Sequence, residues 1–129
     1  MALDTRVKPL LEAIRSSRSH VLEEVWTLSP ARGRAKADPD SWNIQEILEH
    51  LVLAERGGFD LICTAAEAFR TGEPVWSGDS ENDGLHIEEV IERTWKPKET
   101  APDSATPSGR WSAHIWASHL RNCDDLLAD

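Results

Sequence analysis

Apolar residues recur at three- and four-residue spacing over three long stretches of the chain, and no stretch shows a defensible period-two strand pattern. From about Thr5 to Leu28 the apolar positions are Val7, Leu10, Leu11, Ile14, Val21, Leu22, Val25 and Leu28, an amphipathic helix with Pro9 tolerated in its first turn. The second stretch, Ser41 to Gly72, organises the rest. It reads SWNIQEILEHLVLAERGGFDLICTAAEAFRTG, with Ser41 as the expected N-cap and Trp42 where the chain enters. Ile44, Ile47, Leu48, Leu51, Gly58, Phe59, Ile62, Ala65, Ala66 and Phe69 fall on one side of this long helix. A third helix begins at Ser112, with Ala113, Trp116, Ala117, Leu120, Cys123 and Leu127 on one side and Arg121, Asp124 and Asp125 turned away.

The connections have a different texture. Ser29 to Asp40, SPARGRAKADPD, lacks periodicity and is expected to be a loop joining the first two helices, which most economically pack antiparallel. Glu73 to Arg110 is a long, acidic crossover. Within it Ile87, Val90, Ile91 and Trp95 have helical spacing, Asp83 is the expected cap, Glu88 and Glu89 suit the positive end of the dipole, and Pro97 stops the turn. The fold class that follows is all-α: an antiparallel bundle of three main helices plus a short crossover helix. Its expected core is Ile14, Leu22, Val25, Leu48, Leu51, Ile62, Phe69, Trp116 and Leu120.

Composition narrows the partners. The 129 residues make one domain, 1–129, and 14 Lys and Arg against 23 Asp and Glu leave a net charge of -9. That field repels phosphate backbones and anionic bilayers, which argues against nucleic acid and membrane surfaces. No apolar run approaches the roughly 18 to 20 residues of a membrane span and no signal layout opens the chain, so a cytoplasmic location is expected. Cys63 and Cys123 have no metal-type spacing and read as reduced packing residues. Trp76, Trp95, Trp111 and Trp116 are placed to anchor loops poor in aliphatic residues.

Candidate chemistry concentrates on the long helix. Glu55 sits near the centre of the apolar stripe, where a carboxylate needs a partner, and His50 lies on its border. His114 and His119, five residues apart, cannot chelate together; His119 flanks the apolar stripe, while His114 is expected to face solvent and His20 and His86 to be structural or surface residues. There is no Gly-x-Ser-x-Gly, Cys-x-x-Cys or phosphate-cradling glycine loop.

The run Ser41 to Glu55 resembles the helix motif W-S/N-x-x-E-I-x-x-H-L-x-x-x-E of the DinB superfamily, matched here by Trp42, Asn43, Glu46, Ile47, His50, Leu51 and Glu55. Thr94 to Pro97 and Pro107 to Ser112 look like that family's approach to its third helix. The resemblance implies a DinB/YfiT-type four-helix bundle in up-down-down-up order. It also implies a divalent metal, often zinc or nickel, on three histidines, and in many members transfer of a small thiol to an electrophile or metal-dependent hydrolysis. His50 matches the helix-two ligand. The fourth helix and its His-x-x-x-His are absent from this sequence, which looks shortened after helix three.

Two functions compete on these residues. One is a metal-dependent transferase or hydrolase acting on a small-molecule thiol or electrophile, with His50 as a ligand, His119 or a histidine of another chain completing the site, and Glu55 supporting it. The other is a non-catalytic bundle in which His50 and Glu55 are paired to buried polar neighbours and the face left by the fourth helix is closed by a homodimer.

Overall fold

The computed structural model describes residues 5–73, 75, 78–96 and 100–128. Among them every regular element is helical: α1 (Lys8–Trp26), α2 (Pro30–Arg34), α3 (Ile44–Thr71), α4 (Ile87–Thr94) and α5 (Ala113–Ala128), with a single 3-10 turn at Asp103–Ala105. The all-α expectation holds. No described helix is long and apolar enough to cross a membrane.

Helix starts differ from expectation for identifiable reasons. The cap of α3 is Asn43, not Ser41: the Glu46 amide donates to Asn43 Oδ1 at 2.8 Å while the Asn43 amide donates to Glu46 Oε2 at 2.9 Å. This reciprocal box satisfies two orphan donors, which Ser41 followed by Ile44 three residues later cannot do. The helix ends where it should, at Gly72 in the left-handed region with φ 79. Asp83 does not cap α4; that role falls to His86, whose amide donates to Glu89 Oε2 at 3.0 Å. The loop expected at Ser29 to Asp40 contains α2, started by the Ser29 hydroxyl and Pro30. Gly33 of α2 lies so close to α5 that an added Cβ would meet Ala113 Cβ at 3.3 Å. Helix α4 stops at Thr94; Pro97, its expected stop, and Trp76 lie outside the described residues.

The core is built around α5. Ala113, Trp116, Ala117 and Leu120 meet Leu22 and Val25 of α1 on one side and Leu48 and Val52 of α3 on the other. Helices α1 and α3 each pack on α5 and make little direct contact with each other, which corrects the expectation that they pair as neighbours. Their directions follow from the contacts. The Val25 carbonyl meets His114, and Arg18 meets Leu120 and Asp124, so α1 runs antiparallel to α5. Gln45 meets Gly109, and Gly58 and Ile62 lie beside Cys123 and Leu127, so α3 and α5 run parallel. Parallel neighbours require the chain to return along the bundle, the physical reason for the long crossover after Gly72.

The buried face of α3 is rotated by about a quarter turn from the apolar stripe, to Gln45, Leu48, Glu49 and Val52. Of the expected core, Leu22, Val25, Leu48, Trp116 and Leu120 are buried, whereas Ile14, Leu51, Ile62 and Phe69 are 41%, 40%, 68% and 82% exposed. The far half of α3 also outruns its neighbour: 28 residues span about 42 Å against about 24 Å for the 16 of α5.

Leu48, 2% exposed between α3 and α5, is the test of this packing. Leu48→Ala should lower stability by about 2 to 5 kcal/mol in urea unfolding. An unchanged midpoint would overturn the assigned helix phase.

Candidate functional site

Two polar constellations interrupt the packing, and both involve α3. The first fastens the segment before α5 to the start of α3. Glu49, 4% exposed, accepts from the Ser108 amide and hydroxyl at 2.8 Å each through Oε1 and from the Gly109 amide at 2.9 Å through Oε2. Gln45 Nε2 donates to the Gly109 carbonyl at 2.7 Å, one turn before. Gly109 holds φ 71, a left-handed conformation that a side chain would strain at the point where Glu46 approaches. Burial pushes the Glu49 carboxyl up, but the amides of Ser108 and Gly109, the Ser108 hydroxyl and the Arg110 charge outweigh it and hold the group below its ordinary range.

His50 belongs to the same clasp. Its Nδ1 lies 2.7 Å from the Ala105 carbonyl, which can only accept, so Nδ1 carries the proton and the neutral ring has its lone pair on Nε2. Trp42 packs against the ring with centroids 4.9 Å apart. His119 sits elsewhere, stacked on Trp111 and tilted against Trp116 on α5. No hydrogen bond or ring contact joins His50 to His119 among the described residues. His114 is a correction: instead of facing solvent it is half-buried, with Nε2 3.2 Å from the Val25 carbonyl and its ring against Trp26. His20 and His86 are exposed.

The second constellation gives Glu55 its partner. Arg18, 6% exposed, donates from Nη2 to Glu55 Oε1 at 2.5 Å and from Nη1 to the Leu120 carbonyl at 3.2 Å, and Nη1 also lies 2.8 Å from Asp124 Oδ1. One guanidinium therefore ties α1, α3 and α5 together. Sequence reasoning passed over Arg18, although its position four residues after Ile14 and four before Leu22 sets it in the apolar phase of α1.

Arg18 and Glu55 form part of the floor of an open groove between α1 and α3. One hollow of about 520 Å³ is lined by Ile14, Val21, Leu51, Ala54 and Leu120, and an adjoining one of about 390 Å³ by Gly58, Phe59, Ile62, Cys123 and Leu127. Cys123 is buried as expected, and burial together with Glu55 pushes its thiol up; Cys63, expected to pack, is exposed instead.

Among the described residues no three His, Cys, Asp or Glu side chains converge to hold a metal ion. The side chains described do not by themselves fit the three-histidine centre that the DinB resemblance implies. Nor do Glu55 and His50 cooperate through any described bond, since the carboxylate is engaged by Arg18 and the ring by Ala105. No family model, curated protein or solved structure matches the chain.

The clasp makes a pH prediction. A carboxylate held below its ordinary value contributes stability that is complete above that value and is lost as pH falls through the folded one. Urea midpoints should therefore drop on acidification below about pH 4.5, and Glu49→Gln should flatten that slope while lowering stability at pH 7 by about 1 to 3 kcal/mol. A variant with the wild-type slope and midpoint would show that the clasp does not hold the loop.

Proposed function

We propose that this is a DinB-type helical protein that acts through assembly rather than catalysis, its open α1–α3 face closed by a second copy of the chain. The observation that carries this reading is the groove itself: Ile14, Leu51, Ile62 and Phe69 form an unpartnered apolar face while the polar residues nearest it are already paired. The up-down-down sense of α1, α3 and α5 agrees with the order that the DinB resemblance implies. Light scattering at micromolar concentration should give about twice 14.4 kDa. A well-behaved single-chain mass would overturn the reading.

A metal-dependent transferase or hydrolase is the second reading, and the orientation of His50 favours it. Metal-ligating histidines commonly donate their other ring N–H to a backbone carbonyl, as His50 does to Ala105, leaving Nε2 to bind zinc or nickel alongside histidines from another chain. Elemental analysis of purified protein separates the two readings. Assembly without catalysis leaves the protein free of stoichiometric metal, whereas bound metal lost in His50→Ala, with helicity retained, would favour the second.

A further inference from the structure

We propose that the two copies join through α3, crossing antiparallel about a two-fold axis near Asp60, so that Phe69 of each copy seats in the hollow beside Leu51 of the other. The inference rests on the dimer reading and adds its geometry. Along one face of α3 from Leu51 to Phe69 the only charged residue is Glu55, already paired to Arg18, whereas Arg56, Asp60, Glu67 and Arg70 lie on other faces. A helix face meant for water carries more charge than this.

The same face changes shape along its length. From Leu51 to Ile62 it forms one wall of the groove, and from Ala65 to Phe69 it stands clear of α5 as a ridge, Phe69 being 82% exposed. The ridge from Ala65 to Phe69 and the part of the wall from Leu51 to Glu55 that it would face each span about 6 Å at the helical rise. A hollow and a ridge of equal length on one straight element are complementary to themselves when one copy is turned end for end, the requirement for a two-fold contact. In that register Phe69 faces Leu51, Ala65 faces Glu55 and Ile62 faces Gly58. Gly58 is then explained: a glycine inside a helix is unfavourable, nothing lies within 4 Å of the Cβ it lacks, and the gap admits Ile62 of the other copy.

The native cysteines supply the probe, because Cys63 is exposed on α3 and Cys123 is buried. With a nitroxide on Cys63, the antiparallel crossing puts the two labelled Cα atoms about 13 Å apart, from the helical rise and an ordinary interaxial distance. Pulsed electron spin resonance should then give a label separation below about 30 Å once label arms are included. Gly58→Leu should leave the circular dichroism helical, since the isolated chain has room for the side chain, while weakening the dimer at least tenfold in sedimentation equilibrium. A dimeric mass with labels more than about 40 Å apart, or a Gly58→Leu dimer as tight as wild type, would overturn the crossing and leave the dimer reading standing. A monomeric wild-type chain would sink both.

Discussion

The buried guanidinium of Arg18 is the constraint on which the three-helix arrangement depends. Helices α1 and α3 both lean on α5 and barely touch each other, so little direct packing among the described residues holds their spacing on the open side. Arg18 does so with a fork of donors that reaches Glu55 on α3 and Leu120 and Asp124 on α5. Arginine suits the place because its charge is spread over a planar group that keeps several donors in fixed directions. Taking such a group out of water is unfavourable unless its partners are well placed. Here both carboxylates remain partly exposed, with Glu55 at 27% and Asp124 at 30% side-chain exposure, so each keeps some solvation while neutralising the cation.

A second constraint fixes the opposite side of α3. Because α3 and α5 run parallel, the chain must come back along the bundle before α5 begins, and the returning segment has few apolar side chains with which to pack. It is held by hydrogen bonds instead, with Glu49 receiving the Ser108 and Gly109 donors, Gln45 holding the Gly109 carbonyl and His50 the Ala105 carbonyl. Much of the stretch that resembles the DinB superfamily's helix motif therefore has a structural explanation in this chain: Asn43 and Glu46 cap the helix, His50 ties down the loop and Glu55 meets Arg18.

These two constraints leave one apolar face of α3 open. With the loop fastened along one side of α3 and α5 filling the next, the face through Leu51, Glu55, Gly58 and Ile62 borders an open groove among the described residues. Trp95 does not cover it; the residue is 68% exposed. Among the described residues the charges on the groove floor are paired, Arg18 with Glu55 and with Asp124.

Local periodicity and breakers determined the helical class, the three long helices and the end of α3 at Gly72, because those depend on spacing and on φ preferences that the chain carries within itself. Periodicity also marked the apolar stripe of α3 correctly as apolar, but not which way it faces. Only the tertiary structure decided that, since α5 and the Ser108–Gly109 turn, about 60 residues further on, draw Leu48, Glu49 and Val52 inward and leave Leu51, Ile62 and Phe69 outside. The partner of Glu55 was foreseeable as a need and not as a residue: a carboxylate in an apolar stripe demands a cation, but Arg18 became that cation because α1 and α3 meet across α5, a contact no local rule encodes.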